Sequence, residues 1–262
     1  MFYSIIVINH KTPQLTINCL KSLFTLSGLE DREIIVIDNA SEDGSVEILK
    51  NEFADKIQIV SNKRNLGFAA ANNQGAALST GDFLLFLNSD TIAKDDFLSK
   101  CLNLFKQDEN MGVVSPRLKL ENGEAQKHAF GLFPTLGGLI TQTGKREIII
   151  PEKTKILEVD WVSGCALMIR RELFEKIGGW DDHFFLYFED VDICKRVKEA
   201  GYKIAVNLET EITHLGGKSL SLNSERKNYY YEAQDYYFDK WYGVITKYLI
   251  KITRLIFKVL KK

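Results

Sequence analysis

Cysteine is scarce in this chain, and its spacing excludes two classes at once. Four cysteines occur in 262 residues, Cys19, Cys101, Cys165 and Cys194, and no two of them form a CxxC pair. A disulfide framework and a thiolate zinc site are both set aside, and the four read as buried reduced thiols of a cytosolic protein. An excess of charge is missing too. Lys and Arg number 34 against 35 Asp and Glu, so no global positive field draws in a nucleic acid. No uncharged apolar run approaches the roughly 20 residues that cross a bilayer. The opening stretch, Met1 to Asn9, is short and its sequel polar, unlike a signal peptide. Internal repeats and low-complexity tracts are also absent. These absences leave a soluble or surface-associated intracellular protein. With 45% hydrophobic residues it can bury a substantial core, as one large domain or a domain with an appendage.

What is present is an alternation of strands and helices. Tyr3–Ile8, Glu33–Ile37, Ile57–Val60 and Phe83–Leu87 are short apolar runs that read as buried strands. Between them, Thr12-Pro13 caps a helix carrying Leu15, Cys19, Leu20, Leu23 and Phe24, and further helices cover Val46–Phe53 and Phe68–Leu78. Such alternation predicts an α/β fold with a mostly parallel, Rossmann-like central sheet flanked by helices. Ligands of these sheets bind beyond the carboxyl ends of the strands. Polar residues gather there: Asn9-His10, Asp38-Asn39, Asn62 to Asn65, and Asn88-Ser89-Asp90.

Beyond residue 118 the pattern changes. Gly123 to Lys155 carries Gly131, Gly137, Gly138 and Gly144 with little strand signal, and reads as a mobile loop or partial lid. Val159–Ile169 is a strand-like run, followed by a helix over Arg171–Ile177 and a Gly178-Gly179 break. Three segments result: 1–118, 119–220, and a helical extension, 221–262. In that extension Lys247, Lys251, Arg254, Lys258 and Lys261 recur every three or four residues among Ile, Leu, Val and Tyr. A cationic stripe opposite an apolar face predicts an amphipathic helix lying on an anionic membrane surface. Packing on the core or on a partner subunit is the other reading. The aromatic run Tyr229-Tyr230-Tyr231 with Tyr236-Tyr237-Phe238 is open in the same way, to a homodimer interface or to internal packing.

Chemistry-bearing residues cluster at the strand ends and in one acidic segment. Phe185-Leu186-Tyr187-Phe188-Glu189-Asp190-Val191-Asp192 sets carboxylates where a helical pattern begins, with apolar positions at Val191, Cys194 and Val197 and a stop at Gly201. An ionised carboxylate in a first turn beside an apolar wall is what a general base requires. Asp38, at a strand end, is placed to accept a hydrogen bond from a nucleobase N–H, and Ser41 and Gly44 permit the turn into the next helix. Small residues from Gly67 onward let the backbone approach a ligand, and Arg64 can meet a base or a phosphate. Asp90 can hold a divalent cation through oxygen. His214 stands in a glycine-flexed polar loop after a strand-like run.

The order of these pieces resembles the inverting family 2 glycosyltransferases of GT-A fold, in particular their rhamnosyltransferase-like branch. The resemblance rests on Val7-Ile8-Asn9-His10, Val36 to Ser45, Asn65 to Asn72, Leu87-Asn88-Ser89-Asp90, Val162 to Met168, and Phe188-Glu189-Asp190-Val191-Asp192. It spans about Ser4 to Ser219 and leaves the terminal helix outside. It implies that Asp190 is the catalytic base with Glu189 beside it. Asn9, His10, Asp38, Asn39, Arg64, Asn65, Gly67, Asn72, Asn88 and Ser89 would then hold a nucleotide-sugar donor. Asp90 occupies the second acid of the family's DxD motif and Asn88 the first. Asp90 and His214 would hold a divalent cation, Mg²⁺ or Mn²⁺. Trp161, Ser163 and Gly164 would border a glycan or lipid-linked glycan acceptor. The implied setting is peripheral, on the inner face of the cell membrane.

Two rivals stay in view. A nucleotidyltransferase would want a glycine- and basic-rich loop after the first strand, and Asn9-His10-Lys11-Thr12-Pro13 is not one. A non-catalytic sugar-nucleotide-binding scaffold would not need Glu189, Asp190 and Asp90 together.

Overall fold

A computed structural model of the chain describes residues 2–26, 32–140, 148–216 and 224–260. The first half runs β1 (Tyr3–Asn9), α1 (Pro13–Phe24), β2 (Arg32–Asp38), α2 (Ser45–Phe53), β3 (Gln58–Ser61), α3 (Gly67–Leu78) and β4 (Phe83–Asn88). There follow β5 (Thr91–Ala93), α4 (Phe97–Gln107), β6 (Met111–Lys119), β7 (Phe130–Gly131), α5 (Leu136–Ile140), β8 (Ile156–Glu158) and β9 (Trp161–Val162). The chain continues through β10 (Ala166–Arg170), α6 (Arg171–Lys176), α7 (Glu189–Glu199), β11 (Lys203–His214), α8 (Ser224–Tyr242) and α9 (Val244–Leu260).

The main sheet has the order β3-β2-β1-β4-β10-β6-β11-β5, with β8 beside β11. Its first four strands are parallel, as the alternation predicts. Beyond β4 the sheet is mixed, because β10 runs antiparallel to both β4 and β6. The flip has a local cause. Val159–Ile169, which reads as one strand, is broken at Ser163-Gly164-Cys165 into β9, which pairs with β7, and β10, which enters the main sheet. The expected loop over Gly123 to Lys155 is partly ordered, supplying β7 and the short α5. Its residues 141–147 lie outside the described residues.

Side-chain alternation explains why the strands read as unbroken apolar runs. On β1, Ile5 and Val7 point to the face covered by α1, α2 and α4, and Ile6 points to the face covered by α3, α6 and α7. A strand buried on both faces has no polar side to show. The small residues of α3 serve this packing: a Cβ on Gly75 would collide with Ile6 of β1. All four cysteines are buried free thiols. Burial pushes the Cys19 thiol up to about 12, so it carries no thiolate at neutral pH.

A third apolar cluster lies under α8, where Tyr237 and Phe238 are fully buried against Phe184 and Phe188. The aromatic run is therefore largely an internal contact. Gly243, at φ +85°, ends α8 and starts α9. The cations of α9 then face α8. Lys247 pairs with Asp239 at 2.7 Å, and Arg254 and Lys251 pair with Asp235 at 2.6 and 3.4 Å. These three members of the expected lipid-facing stripe thus have protein partners, because α8 offers two acids four residues apart. Lys258 and Lys261 lie beyond the described side chains.

Candidate active site

The strand register builds the first part of the site. Asn9 pairs with Asp38, and Ile8 with Asn88, so the ends of β1, β2 and β4 lie side by side on one rim. Asp38 is 2% exposed. Its Oδ1 accepts from Asn9 Nδ2 at 2.7 Å and from the Ser41 hydroxyl, and its Oδ2 accepts the Ser41 N–H at 3.2 Å. Thr16 fixes Asn9 in turn, donating to its Oδ1 at 2.7 Å. Both oxygens are thus oriented by fixed donors, and a carboxylate has lone pairs left with which to accept a heterocycle N–H.

Asn39 does something different. Its amide nitrogen donates to Asn65 Oδ1 and Gly67 O, while its oxygen accepts from Leu66 N and Asn62 Nδ2. Both ends of the amide are committed, so Asn39 positions the loop before α3 instead of reaching a ligand. His10 joins the same loop: Nδ1 donates to Asn39 O at 2.9 Å, leaving Nε2 to accept from Asn65 Nδ2 at 3.3 Å. Arg64 is exposed beside them, whereas Asn72 is buried one turn into α3 and donates to Phe68 O. Asn72 bonds within its own helix, and Ser41 and Thr16 support Asp38 and Asn9, Thr16 being a contact that the sequence motifs did not point to.

Asp90 follows β4 and His214 ends β11, 124 positions apart. The antiparallel pairing of β5 with β11 sets His214 opposite Thr91 and brings the two together. His214 Nε2 lies 3.1 Å from Asp90 Oδ1, and its Nδ1 lies 2.7 Å from Gln126 Oε1. With Nδ1–H donating to the amide oxygen, Nε2 presents a lone pair toward a carboxylate oxygen. Two acceptors this close are reconciled by a shared proton or a shared cation. A histidine whose far nitrogen is anchored on a carbonyl is the usual arrangement of a metal ligand. The pair fits a divalent cation on this chemistry. Asn88 supplies a neutral amide where a second acid would add charge, and Ser89 is buried, within 3.4 Å of the Thr12 hydroxyl. Asp90 and His214 are only two ligands; the group that brings three ligand atoms within 4.8 Å among the described residues is Asp181, Asp182 and His183. There, however, Asp181 already bonds Lys240 and Tyr236.

The acidic segment completes the site. Glu189 and Asp190 open α7, and the two residues before them, Tyr187 and Phe188, both hold positive φ, +73° and +64°. Two successive non-glycine residues in the left-handed region are strained, and their surroundings must hold them. Arg226 of α8 donates to the Tyr187 hydroxyl at 2.8 Å, Phe188 packs on Tyr230 and Tyr237, and Phe185 stacks on Tyr229. Asp190 accepts N–H bonds from Gly164 at 3.2 Å and from Val191 at 2.8 Å. Burial pushes its carboxyl up to about 6, with those N–H bonds pulling the other way. Glu189 is raised well above the carboxylate range, by burial first and by the Asp190 charge second. Its Oε2 is buried without a partner among the described residues. The two neighbouring carboxyls titrate as a pair, and burial pushes both toward their neutral forms.

Of Trp161, Ser163 and Gly164, it is Gly164 that bonds Asp190. The Trp161 indole donates to Leu132 O at 3.0 Å, and the Ser163 hydroxyl accepts from Cys165 N at 3.2 Å. The donor side and the base side also touch directly: Phe68 N donates to Phe185 O at 2.8 Å, at the start of α3. Residues 4–178 match the family described as Glycosyl transferase family 2.

The chain belongs to the family 2 glycosyltransferases. A second match, to the family described as the N-terminal domain of galactosyltransferase, covers residues 145–216, the part that carries Asp190 and His214. Among curated relatives, the low-salt glycan biosynthesis hexosyltransferase Agl10 of Haloferax volcanii is 29% identical. That alignment covers 77% of this chain and 63% of the relative. The rhamnosyltransferase WbbL of Escherichia coli K12 is also 29% identical, over 65% of this chain and 78% of its own. Among solved structures, GalNAc-T7 with UDP, GalNAc and Mn²⁺ aligns with a TM-score of 0.66 at 16% identity. It covers 91% of this glycosyltransferase, which spans only half of that longer chain. The likeness shows a GT-A fold.

Proposed function

We propose that this glycosyltransferase inverts configuration in a single displacement, moving a sugar from a nucleotide donor to a glycan or lipid-linked glycan in cell-surface polysaccharide synthesis. The observation that carries the reading is the buried Asp190. It is ionised above about pH 6 and tied through Gly164 to the loop that ends at the donor-side strands.

In the proposed step, Asp190 accepts the proton of an acceptor hydroxyl while that oxygen attacks the anomeric carbon. The bond from that carbon to the diphosphate oxygen breaks on the opposite face. One base placed within about 3 Å of the hydroxyl is enough, and no covalent nucleophile is needed. Asp38 orients the base of the donor, and the loop held by Asn39 and His10 shapes its seat. A divalent cation held by Asp90 and His214 would supply positive charge to the leaving diphosphate. Gln126 holds the His214 ring, so Gln126→Ala should weaken Mn²⁺ binding about tenfold in calorimetry with the protein still folded. Unchanged affinity would remove His214 from the metal site.

L-rhamnose from dTDP-rhamnose is the proposed donor, supported by the rhamnosyltransferase among the relatives. A UDP-hexose donor is the second reading, because the hexosyltransferase relative is equally identical. A panel of dTDP-rhamnose, UDP-glucose, UDP-galactose, UDP-GlcNAc and GDP-mannose decides between them. Binding would be followed by calorimetry, and turnover by release of nucleoside diphosphate, with Mn²⁺ or Mg²⁺ and with chelator. Selective, cation-dependent binding of dTDP-rhamnose is the expected result. Binding of no donor would overturn the transferase reading and leave a scaffold that does not bind these sugar nucleotides. The proposed place of work is the cytoplasmic face of the membrane, as a peripheral protein.

A further inference from the structure

Lys247, Lys251 and Arg254 of α9 turn inward with Ile250, and six of its other apolar side chains do not. Ile245, Tyr248, Leu249, Ile252, Leu255 and Ile256 are 43–74% exposed. Their spacing of three and four puts them on one stripe of the helix. A contiguous apolar stripe of this size is unusual on a monomer's surface and marks a contact. Lys247, Lys251 and Arg254 are held by Asp235 and Asp239 of α8, and they fasten α9 to the body of the protein with its apolar side out. We propose that this outer face of α9 is a docking surface for an anionic lipid bilayer, with the helix lying in the plane of the interface.

Charge favours the bilayer over a second copy of the chain. From Trp241 to Lys262 there is no Asp or Glu, and Lys258, Lys261 and Lys262 add cations beyond the three that α8 neutralises. A two-fold contact would bring together two helices of net positive charge with no acid of their own to offset it. Anionic headgroups supply the missing charge, while acyl chains take the apolar stripe. Among the described residues no helix is long and apolar enough to cross a membrane.

The same helices reach the site. α9 holds α8, and α8 holds the loop before the base through Arg226–Tyr187 and Tyr229–Phe185. Farther along, Trp241 Nε1 and Lys240 Nζ bond Asp192 of α7 at 2.8 and 2.7 Å. Docking by α9 would thus set Asp190 at a fixed height over the surface, where a lipid-linked acceptor, the substrate class proposed above, presents its hydroxyl.

The test is sedimentation of the full chain with phosphatidylcholine vesicles, with and without phosphatidylglycerol, beside the double variant Ile252→Glu/Leu255→Glu. Both positions are more than half exposed, and an unchanged circular dichroism spectrum checks that the variant folds. The unsubstituted protein should pellet with the anionic vesicles, and the double variant should lose at least tenfold of that affinity. Donor hydrolysis without vesicles should be the same in both. Failure to pellet, or equal pelleting of the variant, overturns the docking surface. A dimer in sedimentation equilibrium that the variant abolishes, without vesicle binding, also overturns it and assigns the face to a second copy. Vesicle binding without hydrolysis of any donor would instead count against the transferase reading alone.

Discussion

Asp190→Asn should lower the rate of sugar transfer by about a thousandfold, the range expected when a positioned general base is removed. Donor binding should be nearly unchanged, because the donor residues sit at the ends of β1, β2 and β4 and at the start of α3, and Asp190 bonds Gly164 and Val191 instead. Glu189→Gln should cost far less, about tenfold or under. Burial and the Asp190 charge both favour the neutral form of that side chain, and the amide keeps its shape. In the unsubstituted enzyme kcat/KM should fall on the acid side with an apparent midpoint near 6, the value to which burial lifts Asp190. The variant also has a thermodynamic signature. A carboxyl whose folded value lies above its unfolded 3.8 favours folding only while protonated. That contribution is lost as pH rises through the folded value, so ionised Asp190 opposes folding at pH 7.5. Replacing it by Asn should stabilise the fold at that pH, by on the order of 3 kcal/mol. The gain should shrink toward zero as pH is lowered to 4. Thermal unfolding across pH measures it, and a variant that is inactive but no more stable would mean that Asp190 is not the strained base.

Gly67→Ala should be the most damaging conservative change on the donor side. Gly67 has φ +81°, and a Cβ there would lie 2.5 Å from the carbonyl oxygen of Phe185 and 2.8 Å from its ring. The ring cannot simply swing away, since it stacks on Tyr229 with centroids 4.7 Å apart. A left-handed site combined with a backbone collision should cost about 3 kcal/mol. Relief of the clash must move either the start of α3 or the loop before the base, which breaks the Phe68–Phe185 hydrogen bond. Donor affinity and turnover should therefore fall together, unlike in Asp190→Asn. Urea unfolding with donor calorimetry checks both. A variant that loses stability while keeping full turnover would show that the α3 contact does not set the site.

The parallel half of the sheet was legible because burial on both faces leaves unbroken apolar runs, and periodicity reads those directly. The partnership of Asp90 with His214 was legible only through family resemblance, since nothing local in either segment points to the other. Gln126 gave no signal of its own: a glutamine in a polar hairpin is ordinary until His214 is folded against it. The break at Ser163 was hidden because apolar residues flank it on both sides, so composition alone does not separate β9 from β10. On α9 the spacing correctly reported two faces, but amphipathicity does not say what covers each. Asp235 and Asp239, four apart on α8, were the available clue that the cationic side was already matched.

The three residues Ser163-Gly164-Cys165 carry one further consequence. The Cys165 carbonyl accepts from Asn88 N at 2.9 Å, and its neighbour Gly164 donates to Asp190. One of these bonds belongs to the end where a diphosphate would leave and the other to the end where a hydroxyl would attack. Adjacent Cα atoms are about 3.8 Å apart, so a single peptide unit joins the two anchoring points. The end of the donor-side strand β4 and the carboxylate of Asp190 are thus two handles on one peptide link, and a shift of either is felt at the other without passing through the rest of the molecule.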